Sequence, residues 1–159
     1  MTKYSDYTAY FEQIAVEFFG HTPTEKHFFR KGLPEFLKGL STDINYPALL
    51  LDRYDYRYND NGYDSVTKIR TVAFMVVDNS SDIEDYQRID EIMTNTEILV
   101  DQILNKMRKD KHYPKNEFLQ GFDVNSVQVT PIENNADSTF GFFVTADIIS
   151  VHPTEITND

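Results

Sequence analysis

One stretch constrains this chain more than any other. From Asp82 to Lys109, apolar residues recur every three to four positions, at Ile83, Tyr86, Ile89, Met93, Thr96, Leu99 or Val100, Ile103 and Met107. That period predicts one long amphipathic helix. Ser81-Asp82-Ile83-Glu84 reads as its capping box, with Ser81 as cap and Glu84 reaching back. Asp82, Glu84 and Asp85 open it and Lys106, Arg108 and Lys109 close it, the order a helix dipole favours. Pro114 stops any continuation. Such a helix would be about 42 Å long. A chain of 159 residues has the length of one domain. The helix must therefore span that domain, and the sequence on both sides of it reads as strand.

Ahead of it, Tyr7, Phe11, Ile14, Ala15 and Phe18 form one apolar stripe, predicting a helix over Ser5–Phe19 closed by Gly20. Thr22-Pro23-Thr24-Glu25 has the cap, proline and glutamate of a second helix start, predicting a short helix to Lys31. Pro34 to Lys38 predicts one more turn before Gly39. Residues 47–58 and 66–77 then read as two long strands joined by the turn Asn59-Asp60-Asn61-Gly62. In the first strand Tyr54, Tyr56 and Tyr58 share one face, and Arg53, Asp55 and Arg57 the other. In the second, Lys68 and Arg70 share a parity with Val72, Phe74 and Val76. Each strand is thus expected to be buried at one end and wet at the other, and roughly 40 Å of hairpin would reach beyond the core. After the long helix, Phe122–Thr130 and Thr139–Val151 predict a second hairpin. Its Phe140, Phe142, Val144, Ala146 and Ile148 mark a buried face.

The expected fold is therefore α+β: two antiparallel hairpins form a sheet packed by a long central helix and an N-terminal helix. A single domain is expected over 1–151, followed by a polar tail over 152–159. No apolar run is long enough to span a membrane, and no secretory leader is recognisable.

Charge is distributed unevenly. The formal net charge is −11. Residues 1–43 carry −1, 44–81 carry −1, 82–117 carry −3, and the last 42 residues, which have no Lys or Arg, carry −6. A sequence pI near 4.7 argues against a broad duplex-DNA-binding face. An acidic surface either keeps the chain solvated, faces something that must not adhere, or meets a basic partner.

No catalytic constellation emerges, and neither an enzyme nor a cofactor is expected. The chain has no cysteine, which removes thiol chemistry, iron–sulfur clusters and cysteine-based zinc sites. His21 and His27 are six apart, with no zinc-binding pattern, and are expected to be exposed or capping, as are His112 and His152. Asp52, Asp55, Asp60 and Asp64 near Lys68 invite a metal-nuclease reading, but cross-strand Asp–Arg contacts explain them more simply. Glycines are scattered without a phosphate-binding loop. The Tyr54, Tyr56 and Tyr58 ladder, with Arg53 and Arg57, suits a protein interface or packing within the chain better than stacking on a ligand.

In element order the chain resembles the tail terminator, or tail-completion, proteins of long-tailed bacteriophages. Phe11–Phe18, Leu49–Val77, Ser81–Lys109 and Val124–Ile149 match their N-terminal helix, long hairpin, central helix and further strands; the connector 22–40 has no place in that pattern. The resemblance implies a structural virion protein, without catalytic residues. It would form a ring, usually a hexamer, that caps the tail tube and joins it to the head. Its partners would be copies of itself and tail-tube and neck proteins, with DNA only as passing cargo. It would be located in the virion, and in the host cytoplasm during assembly. An acidic lumen or rim would then include Asp123, Glu133 and Asp137 and let DNA slide by like-charge repulsion. The alternative is an intracellular adaptor domain that binds a protein through its Tyr-rich hairpin.

Overall fold

The two hairpins lie side by side in one mixed sheet, joined through β4 and β6. The computed structural model describes residues 3–39, 44–63, 66–114 and 116–152; beyond His152, the expected tail lies outside the described residues. In chain order the elements are α1 (Tyr4–Phe19), β1 (Phe28–Phe29), α2 (Leu33–Lys38), β2 (Ala48–Leu51), β3 (Asp55–Asp60), β4 (Val66–Asn79), α3 (Tyr86–Asp110), a 3₁₀ turn (Glu117–Leu119), β5 (Phe122–Asn134) and β6 (Thr139–His152). The sheet runs β1-β2-β4-β6-β5, with β3 also paired to β4. All pairings are antiparallel except β1 with β2. The α+β fold is that expected from the sequence.

Both long helices lie on one face of the sheet. Tyr7, Phe11, Ile14 and Ala15 of α1 and Val100, Ile103 and Met107 of α3 pack on Leu49, Leu51, Val72, Phe74, Val76, Val144, Ala146 and Ile148. Among the described residues, a second cluster covers one end of the other face. There Phe36 of α2, with Ile44 and Tyr46, closes over Ala48, Leu50, Met75 and Val77.

Four elements differ from the sequence reading. Thr22 does cap a turn, its Oγ1 accepting from the Glu25 N–H at 2.9 Å. No helix follows, because Phe28 and Phe29 pair with Leu49 and Leu50 as a strand. The central helix starts later than Ser81. Ser80 Oγ and the Asp82 carboxylate take up the amides of Asp82 and Glu84, and Asp85 is the cap that accepts from Arg88 N–H at 3.1 Å. Polar side chains satisfying nearby amides compete with helix in this way. As a result Ile83 and Tyr86 are exposed rather than core, and Ile92 is buried in the stripe. The final hairpin is longer than expected: β5 continues to Asn134, and the turn occupies 135–138.

The fourth difference has the largest consequence. The expected strand 47–58 is two strands with a bulge between them. Leu51 pairs with Phe74 but Asp55 pairs with Thr71, so the first strand spends one more residue than β4 over this interval. A single extra residue reverses which side chains face the helices. Leu49 and Leu51 point to the helix side in β2, and Tyr56 and Tyr58 point there in β3. The bulge is held from α1: the buried Tyr7 hydroxyl donates to the Asp52 carbonyl at 2.8 Å, with the Ala73 carbonyl 3.4 Å away. Burial first, then the neighbouring Tyr4, raises the Tyr7 pKa far above the ordinary phenol value.

Candidate functional site

Beyond the bulge the sheet continues as an extension of β3, the first half of β4 and the end of β6. All six β3 residues are exposed, so neither helical layer covers it. Because directly paired residues share a face, the register assigns each side chain to a side.

The helix-side face is basic and aromatic. Tyr56 is paired with Arg70, and Tyr58 with Lys68. Tyr56 and Tyr58 are each about half exposed, their rings 5.8 Å apart edge to face. The Lys68 ammonium sits 3.9 Å from the Tyr56 ring centre, a cation–π contact. Burial, then the positive charge of Arg70, lowers the Lys68 pKa. Arg70 is only 8% exposed, because its neighbours across the sheet, Ile148 and Phe122, belong to the core. Its Nη1 donates to Ser150 Oγ at 3.0 Å and its guanidinium lies 5.8 Å from the Tyr54 ring, but its Nε has no partner. Among the described residues no carboxylate lies within ion-pair distance of Lys68 or Arg70. Asp60, at the tip of this face, is turned to the Gly62 N–H at 2.8 Å.

The opposite face is acidic. Asp55, Thr71, Asp147 and Asp123 stand at one register across β3, β4, β6 and β5, placing three carboxylates in a row. Thr71 Oγ1 donates to Asp147 at 2.9 Å, and Arg57 approaches Asp147 at 3.7 Å. Asp123 is directly opposite Asp147, a like-charge cross-strand pair of a kind that costs stability.

The residues singled out from the sequence thus separate. Tyr56 and Tyr58 form the exposed helix-side surface. Tyr54 is turned inward, with its ring 4.8 Å from Tyr4 and 5.0 Å from Tyr7, so it is packing. Arg57 lies on the opposite face as the partner of Asp147. Arg53 lines a cleft of about 600 Å³ with Tyr4, Arg30, Glu35 and Asp52. Of the acidic set, Asp123 belongs to the row beside Asp147. Glu133 pairs with Phe140 at the other end of β5, and Asp137 lies in the turn next to it. Asp123 and Glu133 stand opposite Asp147 and Phe140, which are seven residues of β6, roughly 23 Å, apart.

The sequence places Lys68 and Arg70 on one strand parity, and Lys68 near the acidic set, but does not show them as partners of the tyrosines. Their pairing depends on hairpin register, which the five-residue connection between Asp60 and Val66 sets. The suspected nuclease cluster is divided, since Asp55 and Lys68 are on opposite faces; Asp64 lies outside the described residues. Among the described residues no group of three potential metal ligands occurs. The histidines at 21 and 27 are expected from the sequence to be exposed or capping. His21 Nδ1 accepts from the His27 backbone N–H at 3.0 Å, a capping role, whereas His27 is buried with its Nδ1 2.8 Å from the Pro47 carbonyl oxygen. Among the described residues no helix is long and apolar enough to cross a membrane.

The fold and this surface define an α+β sheet domain with a two-faced strand extension. Comparison with models of protein families, with curated proteins and with solved structures finds no match.

Proposed function

We propose that this chain is a ring-forming structural protein of a phage or prophage virion, a tail terminator or head–tail neck component that caps the tail tube. The observation that carries this reading is the strand extension, uncovered by helices, with half-exposed tyrosines and cations that have no carboxylate partner among the described residues on one side, and a row of carboxylates on the other. Tyrosine and arginine are enriched in protein interfaces, and a domain does not expose such a surface for its own packing. In this reading Glu133 and Asp137, which share one end of the sheet, contribute to an acidic lumen or rim past which DNA slides. The protein would reside in the virion, and in the host cytoplasm during assembly.

Negative-stain microscopy of the purified chain, alone and with purified tail tubes, tests the reading. Rings and capped tube ends are the expected result. A chain that stays monomeric at high concentration and leaves tube ends open refutes it. The second reading, a protein-binding adaptor, draws on the exposure of Tyr56 and Tyr58. It requires a host protein partner that is lost when both become Ala, and it requires no ring.

A further inference from the structure

We propose that the two faces of the extension bind each other between copies of this chain, with the Lys68–Tyr56–Tyr58 face of one copy seated on the Asp55–Asp147–Asp123 face of the next. The inference rests on the assembly reading above and goes further, because it names the contact and its polarity.

Each face carries an electrostatic cost that the described residues of its own chain do not fully compensate. On the helix side, a guanidinium that is 8% exposed has an unpartnered Nε, and a lysine stands beside it on the same strand face. Neither has a carboxylate within reach among the described residues, and burying unpaired positive charge is expensive. On the other side, three carboxylates share one register, two of them directly opposed, and among the described residues Arg57 is the one cation within ion-pair distance of them. The two sets cannot neutralise each other within one molecule, because alternate residues of a strand point to opposite faces. A second copy supplies to each face the charge it lacks.

Polarity follows from the same geometry. A two-fold contact would set the basic face on another basic face, or the acidic face on another acidic one, and both repel. Only a head-to-tail contact joins unlike faces. A repeated contact of that kind either closes into a ring or continues as a filament. Tyr56 and Tyr58 supply the apolar area at the centre, and the charged groups select the partner and the register.

Sedimentation velocity of the full chain over a range of concentrations tests the proposal, using Lys68→Glu, Asp55→Lys and the double variant. Both substitutions fall on the extension outside the helix-packed core, and thermal melts check that each variant folds. Each single reversal is expected to weaken self-association on the order of tenfold. The double variant should restore it, because every copy then presents two reversed faces that match. Mixing the two single variants should also restore it. If the unmodified chain assembles and the single variants assemble equally well, this contact is wrong and the ring reading stands. If the single variants weaken assembly without rescue by the double variant, the two faces do not meet each other and the proposal is overturned. If the unmodified chain never assembles, both readings fall. Should a reversal fail to fold, Lys68→Gln and Asp55→Asn replace the reversals, and each must weaken assembly.

Discussion

Replacing Tyr7 with Phe removes one oxygen and leaves the ring. The Tyr7 hydroxyl donates to the Asp52 carbonyl at 2.8 Å, at the bulge that separates β2 from β3. Its ring also makes edge-to-face contacts with Tyr4, Phe11, Tyr54 and Phe118 at 5.0 to 6.4 Å, which Phe would keep. The loss is therefore that of one hydrogen bond from a buried hydroxyl to a part-buried carbonyl, about 1–3 kcal/mol. For a domain of this size, that corresponds to a fall in Tm of roughly 2–4 °C per kcal/mol. Urea unfolding followed by far-ultraviolet circular dichroism measures the loss, and the midpoint should fall with an unchanged slope. Hydrogen exchange locates it: amide protection should fall at Arg53 to Asp55 before it falls in α3. An unchanged midpoint would show that the hydroxyl does not hold the bulge. A loss as large as that of Tyr7→Ala, where about 3–5 kcal/mol is expected from emptying an aromatic site, would equally refute the argument.

The remaining predictions concern other parts of the fold. Stability should decline above pH 10. Tyr7 has its pKa raised in the folded chain, so its contribution is fully present below the ordinary phenol pKa and is lost as the unfolded chain ionises first. The decline from Tyr7 alone is about 1.4 kcal/mol per pH unit, and Tyr7→Phe should remove that slope from a plot of the unfolding free energy, measured in urea, against pH. Gly141→Ala should prevent stable folding: a Cβ at this position would lie 1.9 Å from the Val76 carbonyl oxygen, and backbone of a central strand cannot give way. A cooperative melt near that of the unmodified chain would contradict this. Asn134→Ala should cost about 2 kcal/mol, because the buried amide donates to the Phe36 carbonyl at 2.8 Å and accepts from Ala136 N–H at 2.9 Å, tying α2 to the final turn. Thermal melts check the size of the loss, and proteolysis at the 135–138 turn should accelerate.

What the sequence made legible is what short-range periodicity encodes. The α1 stripe at Tyr7, Phe11, Ile14 and Ala15 and the final strand at Val144, Ala146 and Ile148 are buried as their spacing requires. Gly20 and Gly62 take the positive φ expected where α1 and the first turn end. The features that were not legible depend on contacts between distant residues. Nothing near Phe28 and Phe29 signals a strand until Leu49 and Leu50 are placed beside them. His27 reads as a surface residue until the Pro47 carbonyl is 2.8 Å from its ring. The bulge depends on a hydroxyl 45 residues away, and no local pattern across Asp52, Arg53 and Tyr54 announces it. The candidate surface was accordingly half visible: Tyr56 and Tyr58 stood out, and the cations beside them did not.

That bulge is also what divides the charges. Were β2 and β3 one uninterrupted strand in register with β4, the parity of β3 would be reversed. Asp55 and Arg57 would then stand on the helix side opposite Arg70 and Lys68, and Asp55 would lie beside an arginine that has no carboxylate partner among the described residues. Tyr56 and Tyr58 would stand opposite Ile69 and Thr67 on the other face. The chain would neutralise its own extension and have little electrostatic reason to bind a copy of itself. One extra residue, fixed by the hydroxyl of Tyr7, instead keeps the basic and acidic sets on opposite sides of the same strands. The polarity proposed for assembly therefore has its origin in α1, outside the surface that would make the contact. A substitution at Tyr7 should disturb self-association without altering any residue of the interface, and the loss should follow the loss of protection at Arg53 to Asp55. Weakened assembly with the bulge still protected would break that link.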